Sequence, residues 1–479
     1  MSEPIRIVVR EAECYERRAV LRLPFRFGVI TVTQTQQANL RLRVEDETGR
    51  SAWGMAAESL GAKWFDKDPA KPDAQNLAEL RQALASALDL YRARGLATPF
   101  DLFAGTYEAH RRAAAERGIV PLAAGFGPAL VDRAVLDAAC RLRRTGFAAA
   151  IRANLPGIRA TALTPDLAET EIGGFLAALT PRRTIAVRHT VGLLDPITAE
   201  DVPPPERIAD GLPQTLEEVV AATGCTWFKL KVCGQIEADL GRLSRIAGVL
   251  DRDAGGYRAT LDGNEQFADA EAFEALWAAM RQTPALARLM RAIVFVEQPI
   301  ARAHAFAGAP ARGLDRPVII DESDDGLDAL PRALAAGYRG ISSKNCKGFY
   351  KSILNAARIA GIAASGAPAP ILSGEDLTTL AGVSVQQDLA LVALLGIAHV
   401  ERNGHHFIDG MSFAPESEQR AFLAAHPDLY HRARRPDGSE IVRLDVRDGV
   451  LALGSLDCVG FATAAEPEWR SMQPMRFPP

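Results

Sequence analysis

The chain begins with short alternations of apolar and polar residues and later settles into apolar runs separated by helical stripes. Between residues 5 and 58 the period is two: segments 5–9, 19–23 and 38–44 read as strands. Asp46-Glu47-Thr48-Gly49 then turns the chain toward a further strand at 51–57, a hairpin signal. Residues 25–37 and 58–72 read as connections, the second carrying Lys63, Trp64 and Phe65, and both are candidate lids over a site. From 76 to about 154 the period turns helical, with Leu77, Leu80, Leu84 and Leu88 on one stripe and Val131, Ala134, Val135 and Ala138 on another. Residues 155–180 read as a further connection with some helix, so this first third is α+β.

From Thr184 a short apolar strand alternates repeatedly with an amphipathic helix. Strands are expected at 185–189, 227–232, 258–262, 292–297, 318–321, 340–343, 369–372 and 397–401. Ile236, Leu240, Leu243, Ile246 and Leu250 mark one intervening helix, and Phe273, Leu276, Trp277 and Met280 another. Eight strands with helices between them predict a parallel (β/α) barrel, with an open doubly wound sheet as the alternative. After Gly410 the alternation stops. Strands at 440–446 and 449–453 lack helix partners and are assigned back to the first domain. The expected domains are therefore 1–180, 181–410, and a segment 411–479 returning to the first.

Composition narrows the class. The 479 residues are 48% hydrophobic and 24% charged, as in ordinary globular proteins. A net charge of −4 gives no electrostatic case for nucleic acid or an anionic membrane. No apolar run approaches the roughly 20 residues that span a bilayer, and Met1-Ser2-Glu3-Pro4-Ile5-Arg6 lacks the pattern of a secretory signal. Six cysteines scattered without CxxC spacing fit reduced thiols, so a cytoplasmic location is expected.

Candidate chemistry lies at the strand ends, where a (β/α) barrel carries its working groups. Lys229 and Lys231 share one face of a strand whose other face is Phe228 and Leu230. A Lys-x-Lys strand read alone is more simply a solvated edge. Three successive strands then end in Asp262, Glu297 and Asp321, and the next in Lys344. A single strand-end carboxylate reads as a helix cap. Three in register would repel unless a hard divalent cation bridges them, and Mg²⁺ is the natural choice, with Mn²⁺ as the alternative. Lysines on either side of such a cation lose proton affinity and become candidate bases for a proton next to a carboxylate.

These residues resemble the enolase superfamily, in its muconate lactonizing enzyme and mandelate racemase branch. Lys229-Leu230-Lys231 is similar to that family's Lys-x-Lys, with Lys231 as acid/base. Asp262, Glu297 and Asp321 match its metal ligands, and Lys344 in Ser342-Ser343-Lys344-Asn345 its opposing lysine. The resemblance implies a (β/α)7β modified TIM barrel with an α+β N-terminal capping domain whose two loops close the barrel. It implies a metal-stabilised enediolate formed from a small carboxylate substrate, in a racemase, epimerase or cycloisomerase. An acid-sugar dehydratase is the alternative, then a Schiff-base aldolase on Lys344 or a catalytically silent metal-binding barrel. Departures concern the substrate end: Gly348-Phe349 replaces a Gly-Gly, Ser373-Gly374-Glu375-Asp376 lacks a histidine, and His399-Val400-Glu401-Arg402-Asn403 lacks an Asp-x-Asp. Glu375, Glu401 and Arg402 are expected at the substrate, and Asn264 and Glu322 behind the metal ligands. His405-His406 reads as loop. A homo-oligomer is expected.

Overall fold

The computed structural model describes residues 3–252, 255–310 and 313–478. The secretory-signal reading at Met1 and Ser2 lies partly outside them.

Three antiparallel strands open the chain: β1 (Ile7–Phe27), β2 (Ile30–Asp46) and β3 (Ser51–Ser59). β1 joins the two strands expected at 5–9 and 19–23 into one. The stretch 25–37 is no loose connection: Phe25 pairs with Val32 and Phe27 with Ile30, around Gly28 at φ +53°. Phe25 joins an apolar cluster with Leu21, Leu23, Leu380 and Phe407, and Phe27 and Val32 pack against it. Helices Asp73–Arg94, Pro99–Glu116 and Phe126–Arg143 follow, close to the helical region read from the sequence. The last packs so tightly on β3 that a Cβ at Gly54 would meet Ala134 O at 2.2 Å.

All eight expected barrel strands form: β4 (Thr184–Val191), β5 (Trp227–Lys231), β6 (Arg258–Asp262), β7 (Ile293–Glu297), β8 (Val318–Ile319), β9 (Gly340–Ser343), β10 (Ile371–Gly374) and β11 (His399–Arg402). They run parallel in the order β8-β7-β6-β5-β4-β11-β10-β9. A bridge between Ile320 and Ile341 brings the two ends together, with Ile320 N donating to Gly340 O at 3.2 Å. This is a modified TIM barrel with an α+β capping domain, and the open sheet is set aside. Helices Ile236–Leu250, Ala270–Gln282, Ala329–Ala335, Phe349–Ala364 and Val383–Leu394 lie between strands. The β7–β8 connection contains no helix among the described residues.

The C-terminal segment is shared out. β12 (Tyr430–Arg434) pairs with β13 (Glu440–Leu444), β14 (Val450–Ala452) pairs antiparallel with β4 of the barrel, and β15 (Gln473–Pro474) reaches β1. Among the described residues no helix is long and apolar enough to cross a membrane.

Candidate active site

Strand parity decides which side chains meet inside the barrel. On β5, Phe228 and Leu230 face the helical layer, while Lys229 and Lys231, 1% and 5% exposed, face the axis. β5 lies between β4 and β6, so the solvated-edge reading of Lys-x-Lys fails. Register aligns Lys231 with Asp262 and Asp262 with Glu297. Asp321 stands just beyond β8 and Lys344 just beyond β9. The lysines thus flank a row of three carboxylates at one end of the barrel.

Lys229 is the hub. Its Nζ lies 2.9 Å from Asp262 Oδ2, 2.9 Å from Glu297 Oε1, 2.8 Å from Glu375 Oε2 and 3.0 Å from Glu401 Oε2. Lys231 Nζ is 2.5 Å from Asp262 Oδ2, and Lys344 Nζ is 2.6 Å from Asp321 Oδ2. Lys347 supports the same corner, donating to Ser342 Oγ at 2.6 Å and lying 3.3 Å from Asp321 Oδ1. Asn264 N donates to Asp262 Oδ1 at 2.8 Å, and Asn264 Nδ2 to Glu322 Oε1 at 3.2 Å, which links both residues to Asp262.

The charges are strongly perturbed. Burial drives the Lys229 ammonium toward neutrality, but Asp262, Glu297, Glu375 and Glu401 outweigh it and raise its pKa well above the ordinary value. Asp321 likewise overcomes burial at Lys344 and raises it. The lowered proton affinity expected of these lysines belongs to a site that holds a divalent cation; without one, the carboxylate in contact sets the direction. Burial, then Asp262 and Glu375, push Glu297 well above the carboxylate range. Burial also acts on Asp262, Asp321 and Glu401, yet the surrounding lysines hold all three below it.

The structure separates the three expected substrate residues. Glu375 and Glu401 reach the axis at Lys229. Thr190 Oγ1 and Asn403 Nδ2 also donate to Glu401 Oε1, at 2.7 and 3.2 Å. Arg402, one residue on, has the opposite parity and binds Asp388 of the helix Val383–Leu394 and Asp376, so it is a wall residue. Reading the strand end without its parity misplaced it. Arg188 was missed. On β4 it bonds Glu375, Ser373 Oγ at 3.1 Å and Gly374 O at 2.9 Å, fully buried. An arginine two residues from Thr190 on an apolar strand was the available signal.

The capping domain closes the mouth. Trp64, in a short helix Ala62–Phe65, places its ring 4.1 Å from Lys344 Nζ. Lys67 Nζ reaches Glu322 Oε1 at 3.0 Å and Glu265 Oε2 at 2.6 Å. Arg302 bonds Glu265 at 2.7 Å and donates to Phe65 O at 2.8 Å and Trp64 O at 3.1 Å. A cavity of about 330 Å³ lies beside Trp64, walled by Phe25, Phe27, Val32 and Leu377.

Among the described residues, no group of three or more His, Cys, Asp or Glu side chains stands ready to enclose a metal ion. The donor set nevertheless fits Mg²⁺: three carboxylates on successive strands are hard oxygen ligands. Glu297 Oε2, buried, makes no hydrogen bond, although Lys229 Nζ stands 2.8 Å away. The lysine ammonium groups on Asp262 Oδ2 and Asp321 Oδ2 supply the positive charge that a cation would bring to the row.

Barrel and cap together define the fold class, and solved structures share it. One is an enolase from the alpha proteobacterium bal199 with bound Mg, 15% identical, TM-score 0.59, covering 97% of this chain and 98% of that one. A dipeptide epimerase from Enterococcus faecalis V583, complexed with Mg and L-Leu-L-Tyr, is 15% identical with TM-score 0.56, covering 95% and 99%. A 2-chloromuconate cycloisomerase from Rhodococcus opacus 1CP is 17% identical with TM-score 0.57, covering 96% and 97%. At these identities the likeness is one of fold. No family model matches the chain, and no curated protein matches it by sequence.

Proposed function

We propose that the chain is an enolase-superfamily enzyme that moves the α-proton of a small carboxylate substrate, as a racemase, epimerase or cycloisomerase. The observation that carries this reading is the flanked row: Lys231 on Asp262 and Lys344 on Asp321, with Glu297 between them. Asp262, Glu297 and Asp321 would hold Mg²⁺, which would supply Lewis-acid stabilisation of the enediolate.

The chain's own groups do the rest. Lys344 on Asp321 and Lys231 on Asp262 stand on the two sides of the row, each placed to take a proton from, or return one to, one face of the α-carbon. Lys229 is a fixed positive charge near the substrate carboxylate. Trp64 covers Lys344 and excludes water from it.

The test is α-proton exchange in D₂O with acid sugars, N-acyl amino acids and dipeptides, run with Mg²⁺ and with EDTA. Exchange that needs Mg²⁺ supports the reading. Exchange indifferent to EDTA, together with borohydride trapping at Lys344, would replace it with the aldolase.

A further inference from the structure

By sequence His405-His406 is a loop without a third partner. In the structure they sit on a one-turn helix, Gly404–Phe407, and His189 of β4 joins them. The His189 ring centroid is 5.6 Å from that of His405 and 4.9 Å from that of His406. His189 follows Arg188, so by parity it faces away from the barrel axis, and the three imidazoles lie behind the barrel wall.

Four of their ring nitrogens are buried without a hydrogen bond: Nδ1 of His189, both nitrogens of His405 and Nδ1 of His406. Buried polar atoms are ordinarily satisfied, and each exception calls for a partner. His405 and His406 border a cavity of about 200 Å³. Its other walls include Pro213, Leu380, Ile408 and Leu444. The nearby cations are already committed, Arg443 to Asp409 Oδ1 at 2.8 Å and Arg22 to Asp210 at 2.5 Å. Burial lowers the proton affinity of all three histidines, His405 to about 4. The histidine wall therefore offers neutral donors and acceptors rather than charge. The imidazoles are not arranged as a metal cage among the described residues. An engineered apolar cavity of about 150 Å³ holds benzene, so this one has room for a single ring and a polar substituent.

We propose that this cavity binds a small uncharged molecule with an apolar body and a hydroxyl group, of about phenol's size, the hydroxyl pairing with an imidazole nitrogen of His405, both of whose ring nitrogens are unpaired. The site is separate from the barrel mouth, and the inference does not depend on the reaction proposed there.

Phenol and toluene, titrated into the full chain by calorimetry, test it. Phenol should bind saturably and about tenfold or more tighter than toluene, the cost of leaving a buried polar group unpaired. His405→Leu should erase that preference. Ala222→Phe, at the exposed rim, should block phenol while leaving the fold intact by circular dichroism. Three results would overturn the proposal: equal affinity for phenol and toluene; phenol binding indifferent to both substitutions; or a crystal grown with phenol showing only ordered waters, or Zn²⁺ when supplied, on the histidines.

Discussion

Lys231 and Lys344 look alike in type and differ in setting. Lys231 touches one carboxylate oxygen from the same side of the row as Lys229, whereas Lys344 lies between Asp321 and the face of Trp64. Under the proposed reaction, Lys231→Ala and Lys344→Ala should each lower turnover by roughly 10²–10⁴-fold. Each should retain exchange with one enantiomer only, and opposite ones; loss in only one variant would leave a one-base enzyme. A separate prediction concerns His399, stacked on Trp227 at 3.8 Å and accepting from Arg188 at 2.8 Å. Burial, then Arg188, pushes it down to about 2 from an ordinary 6.5. The unfolded chain takes up a proton below pH 6.5 that the folded one refuses, so stability is lost as pH falls from there. Relative to His399→Asn, the wild type should lose about 1.4 kcal/mol per pH unit below that point. Urea midpoints at pH 7, 6 and 5 measure this, and parallel curves would contradict it.

Elements were legible where one residue type dominated one face. The barrel strands are apolar runs buried on both sides, and β6 and β7 end where read, at Asp262 and Glu297. On the β2 side of the β1–β2 hairpin only Ile30 and Val32 are apolar among Thr31, Thr33, Gln34, Thr35, Gln36 and Gln37, so 25–37 reads as a connection. Arg402 and Glu401 differ by one position, and only pairing with β4 shows which looks inward. Long-range contacts such as Lys67 on Glu322 leave no local trace at all. That contact and Arg302 fasten the stretch carrying Trp64 to the barrel. Arg302→Leu should therefore free it: limited proteolysis between residues 59 and 72 should speed up. KM should rise more than kcat falls, because Arg302 touches no reacting group. Unchanged cleavage would mean that apolar packing of Trp64 and Phe65 alone holds the cap.

At the scale of the molecule, the barrel is closed by little backbone and much charge. β8 has two residues, and its junction with β9 needs Gly340, where a Cβ would stand 2.3 Å from Ile371 O and 2.9 Å from Ile319 Cγ2. Around the axis, the Lys229 ammonium touches Asp262, Glu297, Glu375 and Glu401 together, and these belong to strands β6 and β7 and the ends of β10 and β11. It ties opposite walls of the barrel. Removing one partner of such a buried set leaves uncompensated charge, which typically costs about 3–5 kcal/mol. Lys229→Met, similar in length and without charge, should lose about that much in EDTA, by urea unfolding. If Asp262 and Glu297 are metal ligands, the same variant exposes them to Mg²⁺ without a competing ammonium. Mg²⁺ should then stabilise the variant more than the wild type. In either protein a ligand at 100 times its Kd adds about 2.7 kcal/mol, so a shared excess of Mg²⁺ favours whichever binds tighter. Equal stabilisation of both proteins would mean that Lys229 does not compete for the metal oxygens. Stabilisation of neither would show that the row is held together by lysines alone, and the proposed chemistry would lose its cation.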